Sequence, residues 1–391
     1  MGLSKGVYLQ YTAKYSVLGG CDGSDVKLAV LNVICPYTRR AVIQCFRKRG
    51  RAWGLTSDTS KAELQWGDYE CLDWERIVSG KLRASSFCVR KGLSRKAWMS
   101  MYCNKYITKN PKSPLRHALP ATVIVDTWEA FDDSLTFNFG GGDIASFGDD
   151  LGVRQSKGLS ERIDWCLGEV EEKMKAMPGP WILKPSTLNK GAAVVLVADV
   201  ADLRSAVHSC TDIREWVLQE YIQRPKLIGG RKFHFRAYVL AVGCLSVYFF
   251  QRVLILRALR QYDEDCRDPL AHITNTAVQA ECQDFDESLA VMLLDEKVGQ
   301  EKAKKGLQPV LTLASLVSSP DFQSLSFAFE QGEFSVFSPL PHCFEHFGLD
   351  FMVDESGQMW LLEANPGPDF RQTGASLGYI VDELMEESSL I

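Results

Sequence analysis

Apolar and polar positions alternate most regularly between His346 and Asp369, where two apolar runs flank the polar stretch Glu355-Ser356-Gly357-Gln358. That pattern predicts a β-hairpin. With those four residues as the loop, Asp354 faces Met359 and Asp350 lies opposite Glu363. Side chains alternate between the faces of a strand, so Glu363 and Asn365 share a face about 7 Å apart. Pro366-Gly367-Pro368 ends the second strand. Arg231–Leu240 shows the same period, with Lys232, His234 and Arg236 on one face and Phe233, Phe235 and Ala237 on the other.

Elsewhere the periodicity predicts mixed structure. Val26–Ile34 reads as a strand, Thr38–Lys48 as an amphipathic helix ending at Gly50, and Trp53 onward as a returning strand, a βαβ-like opening. Ser85–Val89 is a short strand, followed by a helix over Ser94–Ile107, a Pro-rich connection from Lys109 to Pro120 and a strand over Ala121–Val125. Phe137–Asp150 is Gly/Asp-rich and reads as an insertion. A helix over Glu161–Met174 precedes strands at Trp181–Pro185 and Ala192–Ala198, joined by the polar loop Ser186–Gly191. Helix Asp202–His208 and strands at Trp216–Ile222, 244–250 and 253–257 follow. The stretch 281–306 and the segment 311–317 read as helical, and His342-x-x-x-His346 would share a helix face. The expected division is a lead-in over 1–25, a small domain over 26–89, a central domain over 90–222 carrying the insertion 131–150, and a C-terminal domain over 223–391.

Composition narrows the class. The chain has 391 residues and a formal net charge of −5, enough length for two or three domains and no general attraction to DNA or anionic membrane. Twelve cysteines are scattered without a C-x-x-C pair, which fits reduced thiols in a cytoplasmic protein rather than a disulfide framework or zinc site. No apolar run approaches the roughly 18 residues needed to span a bilayer. The basic cluster Arg39, Arg40, Arg47, Lys48, Arg49 and Arg51 reads first as cations at a helix C-terminus, and second as a docking patch for an acidic tail or RNA.

The candidate chemistry lies in four patterns. Asp350, Glu363 and Asn365 are hard oxygen donors of the kind Mg²⁺ takes together with substrate phosphates, with a hairpin of solvated acids as the plain alternative. Lys184 leaves an apolar strand beside a Ser/Thr/Asn/Gly loop, which can place a cation and backbone N–H groups around phosphates; the loop is not a P-loop. Lys232, His234 and Arg236 on one face call for an anion between them, unless the strand is an exposed cationic edge. His272-Ile273-Thr274-Asn275 gathers an imidazole, hydroxyl and carboxamide, and the extended segment Gln219, Glu220, Tyr221, Ile222 offers its backbone to an adenine edge. No third ligand or Glu-x-x-His frame accompanies His342 and His346, so no metal site is read there.

Taken together, the blocks W-V-L-Q-E-Y-I with R-K-F-H-F-R, H-I-T-N, and F-G-L-D-F-M-V-D with W-L-L-E-A-N resemble the tubulin tyrosine ligase-like family of the ATP-grasp superfamily, from about Phe87 to the C-terminus. The resemblance implies an α+β, α/β ATP-grasp fold, with a nucleotide cleft between two β-rich lobes and a small N-terminal domain. It implies an ATP- and Mg²⁺-dependent ligase that activates a carboxylate as an acyl phosphate for attack by an amine. By that likeness Lys184 and Lys232, with Lys91 or Arg90 beside them, hold phosphates. Arg236 and Arg252 stabilise the transferred phosphoryl or a substrate carboxylate, with Glu363 in the catalytic set. His272, Ile273 and Asn275 contact nucleotide and acceptor, and Asp350, Glu363 and Asn365 bind Mg²⁺. The partners implied are ATP, a free amino acid and a protein acceptor such as a tubulin C-terminal tail. The family's tyrosine ligases carry Asp at the position of His234 in the K-x-D-x-R pattern. The histidine is similar to the branch that includes the C-terminal domain of a fungal P-body-associated protein. Two other readings stay open, a nucleotide-binding adaptor of RNA granules without ligase activity and a small-molecule carboxylate–amine ligase.

Overall fold

A computed structural model of the chain describes residues 9–11, 27–48, 53–113, 115–131, 158–176, 179–188, 191–264, 268–294 and 337–388. Most of the lead-in, nearly all of the insertion and the predicted helix 311–317 lie outside them. The N-terminal part contains β1 (Lys27–Asn32), α1 (Pro36–Lys48), β2 (Trp53–Leu55) and β3 (Leu64–Gly67). β1 pairs in parallel with both β2 and β3, as the βαβ pattern predicts. Arg47 and Lys48 lie in the last turn of α1, where cations suit the helix dipole.

The central part begins with α2 (Lys96–Lys109) and β4 (Thr122–Asp126), followed by α3 (Leu159–Ala176), β5 (Trp181–Pro185), β6 (Val195–Val197), α4 (Val200–Ser209) and β7 (Glu215–Glu220). Its sheet runs in the order β4-β7-β5-β6 and is antiparallel. Alternation divides it cleanly. Leu183, Trp216 and Leu218 pack against Ile163, Leu167 and Leu203 from α3 and α4, while Ile182, Lys184 and Gln219 face the other way.

The C-terminal part is built on β8 (Arg231–Val242), β9 (Ser246–Phe249), β10 (Leu254–Arg257), β11 (Val291–Leu293), β12 (Phe344–Val353), β13 (Met359–Pro366) and α5 (Gly378–Ser388). β8 is interior, paired with β9, β10 and β12, so the exposed-edge alternative for its cationic face is excluded. Phe233, Phe235, Ala237 and Val239 enter one core with Leu349 and Phe351. On the far face Tyr238, Leu254 and Leu256 join Phe46, Ile380 and Leu384, which seats α1 and α5 on the sheet. The ion pairs Arg40–Asp382 and Lys48–Glu386 fall in this packing, so part of the basic cluster faces the chain's own terminal helix. Two elements depart from expectation. Val291–Leu293 is a strand inside a stretch read as helical, and Ser85–Val89, read as a strand, has only an isolated bridge at Val89. The first hairpin strand forms and begins at Phe344, so His342 and His346 share no helix face. Their imidazoles go to separate partners, the Ile77 carbonyl and the Ser388 hydroxyl. Among the described residues no helix is long and apolar enough to cross a membrane.

The β12–β13 hairpin forms with one change of register. Val353 rather than Asp354 pairs with Met359, yet Asp350 still lies opposite Glu363, because the ladder steps from Phe351↔Leu361 to Asp350↔Glu363 and leaves Leu362 extra. This β-bulge turns Leu362 and Glu363 toward the same side, away from the core that takes Leu361 and Ala364. Deleting Leu362 should therefore remove the bulge and restore strict alternation with Leu361 and Ala364 still in the core and Glu363 still on the cleft side. The expected loss is about 1 kcal/mol, close to that of Leu362→Ala, which keeps the bulge. Urea unfolding of both variants checks this, and a loss of several kcal/mol on deletion alone would mean that the register slips and turns Glu363 to the core.

Candidate active site

The two sheets present their polar faces to a cleft of about 780 Å³ including its open mouth. From β8 come Lys232 and His234, from the hairpin Asp350, Leu362 and Glu363, from β5 Lys184, and from β7 and its continuation Gln219 to Ile222. His272 to Asn275 close one side. Two glycines permit this geometry. Gly191 has φ +74°, and a Cβ there would lie 2.8 Å from Val278 Cγ2, so the chain after β5 can touch the 273–278 segment only as glycine. A Cβ on Gly348 would come within 3.0 Å of Arg236 Cδ; its absence gives that side chain room to reach Asp350.

Each charge inside the cleft has a neighbour. Arg236 grips Asp350 with both Nε and Nη2, the latter at 2.8 Å. Asn365 Nδ2 donates to Glu363 Oε1 at 3.0 Å and lies 3.3 Å from Asp350 Oδ2. Lys184 Nζ donates to Gln219 Oε1 at 2.7 Å, and Lys232 Nζ to the Tyr221 hydroxyl at 2.7 Å, which also meets His272 Nδ1 at 2.6 Å. Lys96 Nζ lies 3.0 Å from Glu363 Oε2 and 2.9 Å from the Leu188 carbonyl, joining the two walls. Ser186 holds it there, its carbonyl accepting from Lys96 N and its hydroxyl from Ala97 N.

Burial decides the proton affinities. Lys184 is pushed down to about 8, by burial first and then by Lys96, against the pull of Glu363. Lys232 is held well below the usual lysine range by burial and by Lys184. Burial, then Arg236, brings His234 down to about 3. Asp350 is raised to about 7, because burial and the nearby Glu363 outweigh Arg236. Burial would raise Glu363 as well, but Lys96, Asn365 and Lys184 together hold it below the ordinary carboxylate range. The cleft is thus short of negative charge, which is the expected condition of a polyanion site.

Of the residues singled out in the sequence, the cleft gathers Lys184, Gln219, Glu220, Tyr221, Ile222, Lys232, His234, His272, Ile273, Asn275, Asp350 and Glu363. Arg236 and Asn365 touch the acidic pair from behind. Lys91 does not reach it: its ammonium lies 4.6 Å from the Trp98 ring centre. Arg90 is also diverted, into an ion pair with buried Glu345. Arg252 pairs with Glu383 on α5 at 2.6 Å and is absent from the cleft lining, which corrects its place in the catalytic set. Lys96 was missed. Its signal was a cation in the first turn of a helix that has no acid there, the reverse of what the dipole favours.

A model of the Tubulin-tyrosine ligase family matches residues 161–389. The chain belongs to that family. A probable tubulin–tyrosine ligase of Schizosaccharomyces pombe is 29% identical over 92% of this chain and 89% of its own length. The probable tubulin–tyrosine ligase PBY1 of Saccharomyces cerevisiae is 26% identical over 83% of this chain, which spans 45% of that protein. Among solved structures, the C-terminal domain of K. lactis Pby1, described as an ATP-grasp enzyme interacting with the mRNA decapping enzyme Dcp2, matches with a TM-score of 0.63 and 24% identity, over 93% of this chain and 92% of that one. The fold of this family member is therefore ATP-grasp, and the chain is of the ligase type.

Removing Asp350 should expose how far the site depends on the buried guanidinium. Asp350→Ala leaves Arg236, only 2% exposed, without its carboxylate, at an expected cost of about 3–5 kcal/mol. Chemical denaturation measures it, and a loss below about 1 kcal/mol would mean that Arg236 finds another partner.

Proposed function

We propose that this family member binds ATP with Mg²⁺ and joins an amino acid to a protein carboxylate, which is first activated as an acyl phosphate and then attacked by the amine. The observation that carries the reading is the convergence of Lys96, Lys184 and Lys232 on the cleft that also holds Asp350 and Glu363. In this reading the three lysines take the phosphates, with Lys96 in the place first given to Lys91. The backbone of Gln219–Ile222 takes the adenine, and His272, Ile273 and Asn275 complete the nucleotide and acceptor contacts. Such chemistry needs little more than positioned cations and a metal that stabilises developing charge.

Among the described residues no group of three or more His, Cys, Asp or Glu side chains stands ready around a metal. The carboxylate oxygens face Arg236, Lys96 and Asn365 instead. Two carboxylates and a carboxamide nevertheless form a donor set that fits Mg²⁺ beside phosphates. Asp350, Glu363 and Asn365 would hold the ion, which would supply Lewis-acid stabilisation of phosphoryl charge. Arg236 acts behind them by orienting Asp350.

The relatives named as tubulin ligases suggest a tubulin tail as acceptor and a cytoplasmic place of action. A second reading is a nucleotide-binding adaptor without ligase activity. It is favoured by His234 in place of the family's Asp and by the described partner of the K. lactis protein. Incubation with ATP, Mg²⁺, tubulin and single labelled amino acids separates them. Label entering protein supports ligation, nucleotide binding without incorporation across acceptors supports the adaptor, and ADP release without labelled protein identifies a small-molecule ligase.

Glu363→Gln should weaken Mg·ATP binding roughly tenfold or more, with the fold kept but the melting temperature lowered, because buried Lys96 loses its carboxylate. Lys184→Ala should cost a similar factor, about 1.4 kcal/mol. Wild-type titrations of both variants would defeat the placement of phosphate and metal. Protons should move as well. A bound triphosphate favours charged Lys184 and raises its pKa from about 8. ATP binding then takes up as much as about one proton above pH 8, and affinity falls as the pH climbs past that value. Calorimetry at pH 8.5 in two buffers of different ionisation enthalpy reads this uptake, and Lys184→Met should remove the share that belongs to Lys184, leaving that of Lys232, which is also held below the usual lysine range.

A further inference from the structure

His234 is 5% exposed and lines the cleft. Its Nδ1 lies 2.5 Å from Thr274 Oγ1, so one ring nitrogen is fixed by a hydroxyl. The other, Nε2, is buried with no hydrogen-bond partner and lies 3.7 Å from Asp350 Oδ1. A buried polar atom left alone costs roughly 1–3 kcal/mol, so its partner is expected to arrive with a ligand. Burial and the neighbouring Arg236, Lys232 and Lys184 keep the ring neutral. A neutral imidazole with one nitrogen held by an oxygen and the other presented beside carboxylates is the arrangement of a metal-bound histidine.

We infer that His234 Nε2 is a ligand to the divalent cation placed at Asp350 and Glu363, and that this site prefers Mn²⁺ to Mg²⁺. The inference rests on the reading of those two carboxylates as cation ligands. Mg²⁺ is a hard ion that takes oxygen donors in a near-ideal octahedron, whereas imidazole suits the transition metals. Mn²⁺ takes carboxylate oxygens as Mg²⁺ does, and, although it is the weakest binder of the first-row series, it is a transition metal that accepts a nitrogen donor beside them. An aspartate at position 234 would supply a third carboxylate to the acidic pair and favour Mg²⁺; a histidine supplies nitrogen and no charge. Thr274, whose hydroxyl stood among the candidate groups of His272–Asn275, becomes the residue that fixes the ring. Binding must draw Lys96 away from Glu363, and phosphate oxygens offer that ammonium an alternative partner.

The test uses the full chain with Mn²⁺ and inorganic tripolyphosphate, which brings phosphates without any nitrogen. Electron spin-echo modulation of bound Mn²⁺ should show ¹⁴N coupling in the wild type. The coupling should change to the ¹⁵N pattern when only histidine is labelled with ¹⁵N, a control that needs no substitution. In His234→Asp, and in His234→Asn should the first variant fold poorly, the nitrogen coupling should vanish. The ratio of Mn²⁺ to Mg²⁺ affinity, from competition titrations, should fall roughly tenfold in His234→Asp. Bound Mn²⁺ without nitrogen coupling in the wild type overturns the inference and leaves the carboxylate site standing; Nε2 would then serve a water or a ligand hydroxyl. Mn²⁺ that fails to bind wild type and variants alike overturns both.

Discussion

More basic groups are buried in this cleft than the protein's own carboxylates can answer. Lys96, Lys184 and Arg236 are each at least nine-tenths buried, and Lys232 is 2% exposed. Facing them are Glu363 and an Asp350 that is raised to about 7. Neutral groups fill the gap: Gln219 for Lys184 and Tyr221 for Lys232. Desolvating a cation costs several kcal/mol, and a neutral acceptor recovers less of that than an anion does. A polyanion entering the cleft therefore exchanges weak partners for strong ones.

The β-bulge at Leu362 places the anions where those cations need them. Were Leu362 an ordinary rung of the ladder, Glu363 would point with Leu361 into the core beneath the sheet. With the bulge, two consecutive residues of β13 look into the cleft, and Glu363 comes within 3.0 Å of Lys96 from the opposite wall. A local irregularity in one ladder thus links the two sheets. Lys96 is fixed from its own side by Ser186, which is fully buried, one residue past β5. Lys184 and Lys96 are in this way tied to the same short piece of backbone and move with it.

Much of this was legible because strand alternation is local. Lys232, His234 and Arg236 had to share a face whatever lay above them, and the opposition of Asp350 and Glu363 survived a one-residue error at the turn because the bulge cancels it. Residues whose role depends on distant packing were not legible. Arg252 looked available until α5 brought Glu383 to it. Lys91 and Lys96 lie five positions apart on a helical stretch, and only the docking of Ser186 decides which of them enters the cleft. The strand at Phe344–Val353 overrode the helical spacing of two histidines, because β8 offers it a partner along its length.

The lysines of the cleft come from three elements, Lys96 from α2, Lys184 from β5 and Lys232 from β8. Phosphate oxygens entering the cleft can meet lysines of both walls and replace the Lys96–Glu363 contact that joins them. The neutral stand-ins make the exchange reversible, since Gln219 and Tyr221 are ready to take the lysines back when the polyanion leaves. A site with stronger internal partners would stay closed, and one with none would not fold around so many buried cations.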